Sequence, residues 1–166
     1  MGEETEKAKL KKILCVVLVA IMDQGRILLI NRVKDPYKGH WGMAGGKMEF
    51  GENVEETAVR EAFEETGLEC SADSIKGIAS EIVHDGKETE QHFILFIVKL
   101  KPKTTKVVEG REGTLQWFNM HELNHLKMVP SDIFMINEFI LKEKSMKVHK
   151  IRVKREGETY EIEEFA

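Results

Sequence analysis

Cysteine, proline and aromatic residues are scarce in this sequence, and each scarcity excludes a class of protein. Its 166 residues include two cysteines and three prolines, and aromatic residues make up 7%. Cys15 and Cys70 are too few for a disulfide scaffold, and such sparing use suits a reducing cytoplasm. The prolines leave no room for a collagen-like repeat or a proline-rich linker. The longest apolar run, Ile13 to Met22, is too short to span a bilayer as a helix, which excludes a polytopic helical membrane protein. Basic charge is not in excess either. The formal net charge is −4, so the chain lacks the dense cationic face that long nucleic acid requires. A phosphate-bearing ligand would need a cation between itself and this acidic chain. What is present is enough for a core: 42% of residues are apolar and 33% charged, the balance of one globular domain at this length.

One stretch imitates a secretory signal. Lys7, Lys9, Lys11 and Lys12 precede the apolar run, but no small-x-small cleavage site follows. The chain instead passes through Asp23-Gln24-Gly25 into a second apolar run, Ile27 to Ile30. Two β-branched runs around a glycine turn predict strands over 13–22 and 26–33. Residues 34–46, with Pro36, Gly39, Gly42, Gly45 and Gly46, predict a loop. Strands are also expected over 77–83, 92–100 and 114–118, the middle one apolar enough to be central and covered on both faces.

Ser131 is placed to cap a second helix whose buried stripe is Ile133, Phe134, Ile136, Phe139 and Ile140. The tail reads as a hairpin. Val148 to Arg155 is basic and alternating, Glu156-Gly157 is a turn, and Glu158 to Glu164 is acidic, so opposite charges face each other. Its edge suits pairing with a second copy, giving a homodimer, or with this chain's own sheet. The expected organisation is a flexible segment over 1–12, a main domain over 13–144 and a hairpin extension over 145–166, in the α+β class.

The helix predicted over 53–66 carries the chemistry. Asn53 with Glu56 forms a variant of the capping box, and Gly67 is placed to end the helix in a left-handed conformation. Glu61, Glu64 and Glu65, at i, i+3 and i+4, share one face and span roughly 6 Å along the axis. Like charges that close repel unless something neutralises them. Hard divalent cations do so, because Mg²⁺ prefers carboxylate oxygens and keeps positions open for phosphates. Glu52 can reach the same region, and Arg60 is placed to hold a carboxylate. Glu-rich helices are also common as plain solvated faces. The glycines Gly45-Gly46, which let backbone approach a ligand closely, favour the metal site.

Gly46, Glu52, Arg60, Glu61, Glu64, Glu65, Gly67 and Leu68 resemble the Nudix box, G-x5-E-x7-R-E-U-x-E-E-x-G-U, with Ala62 at the bulky aliphatic position. The wider resemblance to Nudix hydrolases runs from about Ile13 to Leu141. It implies an α/β/α sandwich with a mixed sheet, and cleavage of nucleoside diphosphate derivatives with Mg²⁺, or Mn²⁺ as substitute. It also implies that Glu61, Glu64, Glu65 and the Gly45 carbonyl bind metal, while Glu52 assists and Arg60 orients the glutamates. Where the family commonly has Pro-Gly-Gly, this chain has Ala44-Gly45-Gly46. In MutT-like members a glutamate on a later loop serves as base and metal ligand. The candidates are Glu109 and Glu112, with Glu112 preferred because it leads into the Trp117 strand.

Markers of other subclasses are missing. No proline or tyrosine stands near Val83-His84-Asp85, where ADP-ribose and diadenosine polyphosphate hydrolases tend to have them. The coenzyme A signature is half present, in Leu28-Leu29 and Arg32 with Gly39. The resemblance therefore points to a hydrolase of nucleoside triphosphates, including oxidised purines such as 8-oxo-dGTP. Asp132, in Val129-Pro130-Ser131-Asp132, is the candidate reader of the base edge, although Asp is also ordinary at a helix start. Trp41, Phe93 and Trp117 are candidates for stacking, and Arg32 and Gly46 for substrate contact. Other nucleoside diphosphate derivatives and a non-catalytic nucleotide-binding regulator remain as alternatives. His121-Glu122-Leu123-Asn124-His125 matches the zinc motif H-E-x-x-H, but Pro130 follows too soon for the long helix such a site needs.

Overall fold

A computed structural model describes residues 11–108, 113–142, 146 and 148–165. The segment expected to be flexible lies, up to residue 10, outside the described residues. The two apolar runs form strands β1 (Ile13–Asp23) and β2 (Arg26–Arg32), joined by Gln24 and Gly25, both at positive φ. That backbone matches the twist of a tight hairpin. Next come β3 (Trp41–Gly42), β4 (Ala44–Lys47) and helix α1 (Val54–Thr66). The chain then runs through β5 (Cys70–His84), β6 (Thr89–Pro102) and β7 (Gly113–Asn119). A 3₁₀ turn (Met120–His125), helix α2 (Pro130–Met135) and a π-helical turn (Ile136–Leu141) precede the final strands, β8 (Val148–Glu156) and β9 (Thr159–Phe165).

The main sheet runs β4-β1-β6-β5-β8-β9, with β1/β6 and β5/β8 parallel and the other pairs antiparallel. β2 leaves it after the hairpin and pairs with β3 and β7 instead. Alternation along β1 explains the layers. Val17, Val19 and Ile21 bury against Ala58 and Ala62 of α1, while Ala20 faces Met135, Ile136 and Phe139 on the opposite side. β6 is central, with Leu95 and Ile97 buried on one face and Val98 and Leu100 on the other. The α+β class and the sandwich expected from the sequence are both present.

The departures have local causes. The loop expected over 34–46 contains β3 and most of β4, because Gly45 and Gly46 lie extended beside Leu18 and Val17. β5 begins at Cys70 rather than near 77, its polar first half kept in the ladder by register shifts at Ala72/Ser74 and Ile75/Gly77. Ser131 does not cap α2. Pro130 occupies the first turn, Val129 precedes it without a side-chain cap, and Ser131 is buried at 1% exposure.

Of the two pairings open to the tail hairpin, β8 takes the internal one, lying parallel to β5 from Ile78↔Val148 to His84↔Lys154. Ile151 and Val153 are fully buried in the core. Opposite charges do meet across it, Arg152 beside Glu164 and Lys154 beside Glu161 in register, but a bulge after Arg152 shifts the ion pairs. Arg152 reaches Glu163 at 3.9 Å, and Glu163 also meets His84 Nε2 at 2.8 Å. Among the described residues, no helix is long and apolar enough to cross a membrane.

Candidate active site

The site begins at the two ends of α1. Asn53 accepts the Glu56 N–H at 2.9 Å, and Glu56 returns the bond to the Asn53 N–H at 2.7 Å, completing the capping box. Gly67, at φ 70°, closes the other end with its N–H on the Phe63 carbonyl. With its ends fixed, the helix holds its acidic face against β4.

Arg60 organises that face. Its Nε and Nη2 grip Glu52 in a fork, at 2.6 and 2.9 Å. Its Nη1 donates to Glu61 at 2.7 Å and to Glu64 at 3.2 Å, and Nη2 also reaches the Lys47 carbonyl. Glu52 further accepts from the Glu49 N–H and the Thr57 hydroxyl. The Arg60 hydrogen bonds, then the Glu49 N–H, hold the Glu52 carboxyl down to about 2. Glu61 is 8% exposed, and burial pushes its carboxyl above the usual range despite Arg60. Glu65 accepts the Gly45 N–H at 2.9 Å.

The two glycines of β4 are needed for different reasons. A Cβ on Gly46 would sit 2.4 Å from the Glu61 carboxyl group. One on Gly45, at φ 152°, would lie 2.1 Å from the Val17 carbonyl oxygen. Glycine therefore lets the strand pass between β1 and the glutamates.

One guanidinium cannot balance this many carboxylates, and the donors are all oxygen. A buried carboxylate with a raised pKa, facing other carboxylates, gains from a hard divalent cation nearby, so the donor set fits one chemically. Among the described residues, no three His, Cys, Asp or Glu side chains already stand as a metal cage. Glu61 and Glu64 are turned to Arg60, and Glu65 to Gly45. Glu109 and Glu112 lie outside the described residues.

β4 also borders a cavity of about 300 Å³. Gly45, Gly46 and Lys47 form one side, Leu14, Val16, Leu18, Phe93 and Leu95 an apolar side, and Arg32, Tyr37, Glu81, Gln91, Ser131 and Asp132 a polar end. Asp132 is 5% exposed and accepts the Met43 N–H at 2.7 Å. Burial raises its carboxyl to about 7, the nearby Glu81 adding to the rise while the Met43 N–H and Arg32 oppose it. Burial likewise raises Glu81, against the pull of Ser131, Tyr37 and Arg32. The ring of Tyr37 is backed by Tyr160 of β9, centroids 4.5 Å apart, so the tail hairpin supports this wall.

The structure thus gathers Gly45, Gly46, Glu52, Arg60, Glu61, Glu64 and Glu65 on one side of β4. It places Arg32, Phe93 and Asp132 around the cavity, together with Gly45 and Gly46. The tryptophans go elsewhere. Trp41 packs edge-on against Phe118, and Trp117 lies on the α1 side of the fold with its indole N–H on the Thr105 carbonyl. Neither lines the cavity. Tyr37, Glu81 and Gln91 escaped the sequence reading. For Glu81 there was a signal: it shares the inward phase of Ala79 and Val83 in a strand, where a lone acid is unusual. The H-E-x-x-H match forms a 3₁₀ turn with His121 and His125 exposed, and Glu122 is spent accepting the Asn119 N–H at 2.6 Å.

Comparison with known proteins gives a consistent picture. The NUDIX domain family matches residues 11–139. An uncharacterised Nudix hydrolase of Bacillus subtilis is 34% identical over 108 residues, covering 64% of this chain and 66% of that one. An 8-oxo-dGDP phosphatase of Homo sapiens is 27% identical over 124 residues, covering 70% and 36%. Each match thus spans less than two thirds of the relative. The crystal structure of a MutT protein from Bacillus halodurans superposes with a TM-score of 0.72 at 26% identity, covering 91% of this chain and 98% of that one.

Proposed function

The chain belongs to the NUDIX domain family, and from that footing we propose that it is a Mg²⁺-dependent hydrolase cleaving a nucleoside triphosphate, oxidised purines included, to the nucleoside monophosphate and pyrophosphate. The observation that carries this reading is the shared border. The Arg60-ordered glutamates and the cavity meet at Gly45-Gly46, so a ligand in the cavity would extend its phosphates toward the carboxylates. The metal, when bound, supplies charge neutralisation for the phosphates and a more acidic water. The chain's own part is positioning and proton transfer. Arg60 fixes Glu52 and steers Glu61 and Glu64. Glu61, Glu64, Glu65 and the Gly45 carbonyl are the proposed metal ligands, with Glu112 as a further one. Glu64, Glu65 or Glu112 takes the proton from the attacking water. Asp132, Phe93 and Arg32 hold the nucleoside portion. A cytoplasmic location is part of the same proposal.

The name of the human relative favours a second reading, cleavage of an oxidised nucleoside diphosphate to the monophosphate and phosphate. Product analysis over a panel of nucleoside di- and triphosphates, nucleotide sugars and dinucleoside polyphosphates, each with Mg²⁺, separates the two. Monophosphate plus pyrophosphate from triphosphates is the expected result, with turnover reduced on the order of 10²-fold or more in Glu64→Gln or Glu65→Gln. Release of single phosphate from diphosphates alone would favour the second reading. Unimpaired metal-dependent turnover in both variants would overturn the mechanism.

A further inference from the structure

The polar end of the cavity contains atoms that the fold leaves without partners. Glu81 is 3% exposed, and its Oε2 makes no hydrogen bond in the protein. Gln91 Oε1 makes none either, and the Tyr37 hydroxyl, 4% exposed, stands close enough to Glu81 and Ser131 to influence both without a hydrogen bond of good geometry. Buried polar groups are nearly always satisfied; Tyr37 and Ser131 meet part of Glu81's need, and the acceptor capacity left on Glu81 Oε2 and Gln91 Oε1, both lining one cavity, calls for an external partner. They come from separate elements: Tyr37 from the segment after β2, Glu81 from β5 and Gln91 from β6. Asp132, from α2, lines the same end with its Oδ2 already bound to the Met43 N–H.

The chemistry of these orphans selects the ligand. Glu81 Oε2 and Gln91 Oε1 are acceptors, and the Tyr37 hydroxyl can donate. The group that satisfies them must carry adjacent N–H donors with an acceptor beside them. Among nucleobases, a guanine-type edge offers that pattern: a ring N–H and an exocyclic amine side by side, then a carbonyl. Adenine and cytosine place an unprotonated ring nitrogen beside the amine, lone pair against lone pair. Uracil offers one N–H between two carbonyls.

We propose that Glu81 is a specificity-determining residue of this chain, which with Gln91 and Asp132 accepts the paired N–H donors of a guanine-type base at the inner end of the cavity. The assignment rests on the reading of the cavity as a nucleotide site, and adds to Asp132 a contact from the sheet. Arg32 faces both carboxyls of this end and opposes the rise that burial gives them.

Equilibrium binding tests this without turnover. GMP, IMP and AMP are titrated calorimetrically into the full chain without metal, and into Glu81→Gln. IMP differs from GMP only by the missing amine. The wild type is expected to bind GMP roughly 10-fold tighter than IMP and tighter still than AMP, as befits a buried acceptor losing its donor. Glu81→Gln is expected to bring GMP and IMP to within about 3-fold, its amide being a weaker acceptor. Equal wild-type affinities for GMP and IMP would overturn the assignment by themselves, needing no variant. So would a Glu81→Gln protein that keeps the full preference. Absence of hydrolysis alongside an intact, Glu81-dependent GMP preference would sink the enzymatic reading and leave Glu81 as the base reader. Hydrolysis with no base preference would do the reverse.

Discussion

Arg60 is where several carboxylates depend on one side chain. Its fork on Glu52 cannot be reproduced by the point charge of a lysine. In Arg60→Lys or Arg60→Ala the Glu52 carboxyl should titrate upward from about 2 toward its ordinary range, which carboxyl carbon shifts in a pH series would follow. The same group shapes stability. Its native pKa lies below its unfolded value of 4.5, so its contribution is present above that value and lost as pH falls toward 2. Asp132 works in the opposite sense. It is raised from 3.8 to about 7, so the native state holds a proton the unfolded chain gives up, and its contribution fades as pH rises through that window. Thermal melts should therefore show stability climbing from pH 2 to about 4.5 and declining toward 7. Asp132→Asn should lessen the decline, to which buried Glu81 and Glu61 also contribute, and Arg60→Ala should lessen the climb while steepening the Glu61 part of the decline. A melting temperature independent of pH in all three proteins would contradict both assignments. Glu61, Glu64 and Glu65 were legible in the sequence because their spacing puts them on one helix face, and Arg60 and Glu52 because the box that this stretch resembles includes them. Glu81 and Gln91 were not, since their importance arises from where β5 and β6 place them relative to α2, a relation between residues far apart in the chain.

At the scale of elements, β4 carries the most exacting constraint. Gly45→Ala would push a Cβ into the Val17 carbonyl at a backbone angle that side chains rarely adopt, and should cost about 3 kcal/mol or more of stability. Gly46→Ala meets only the far end of the Glu61 side chain, which can swing away. It should fold with nearly the wild-type melting temperature yet lose most of its metal-dependent turnover as Glu61 is displaced. Chemical denaturation and assays on the two variants distinguish a strand requirement from a site requirement. The cap of α1 gives a smaller effect, about 1 kcal/mol for Asn53→Ala. α1 was readable at both ends because its capping chemistry is local. β4 was not, because glycines forced by a neighbouring strand look, in sequence, like glycines of a loop. The tryptophans misled for a related reason: aromatic character announces burial, but only the register of β2 with β7 decides which face Trp117 occupies.

For the molecule as a whole, the tail hairpin is part of the sheet. Its existence could be read from alternating charges around Glu156-Gly157, but its partner, β5, could not. Ending the chain after Lys144 would remove Ile151 and Val153 from the core, at roughly 1.5–3 kcal/mol each. Against a total stability of about 5–15 kcal/mol, that is a large share. The truncated protein should melt far lower and lose amide protection along β5 in hydrogen exchange. Unchanged protection there would show that the hairpin is a dispensable appendage.

Tyr160 of the last strand braces Tyr37, and so one wall of the cavity, from the far end of the chain. During synthesis these two rings are made on the order of ten seconds apart at ordinary elongation rates. A nascent polypeptide tethered to the ribosome therefore carries its acidic helix long before it owns a finished pocket, and the braced wall has to wait until the closing strand has cleared the exit tunnel.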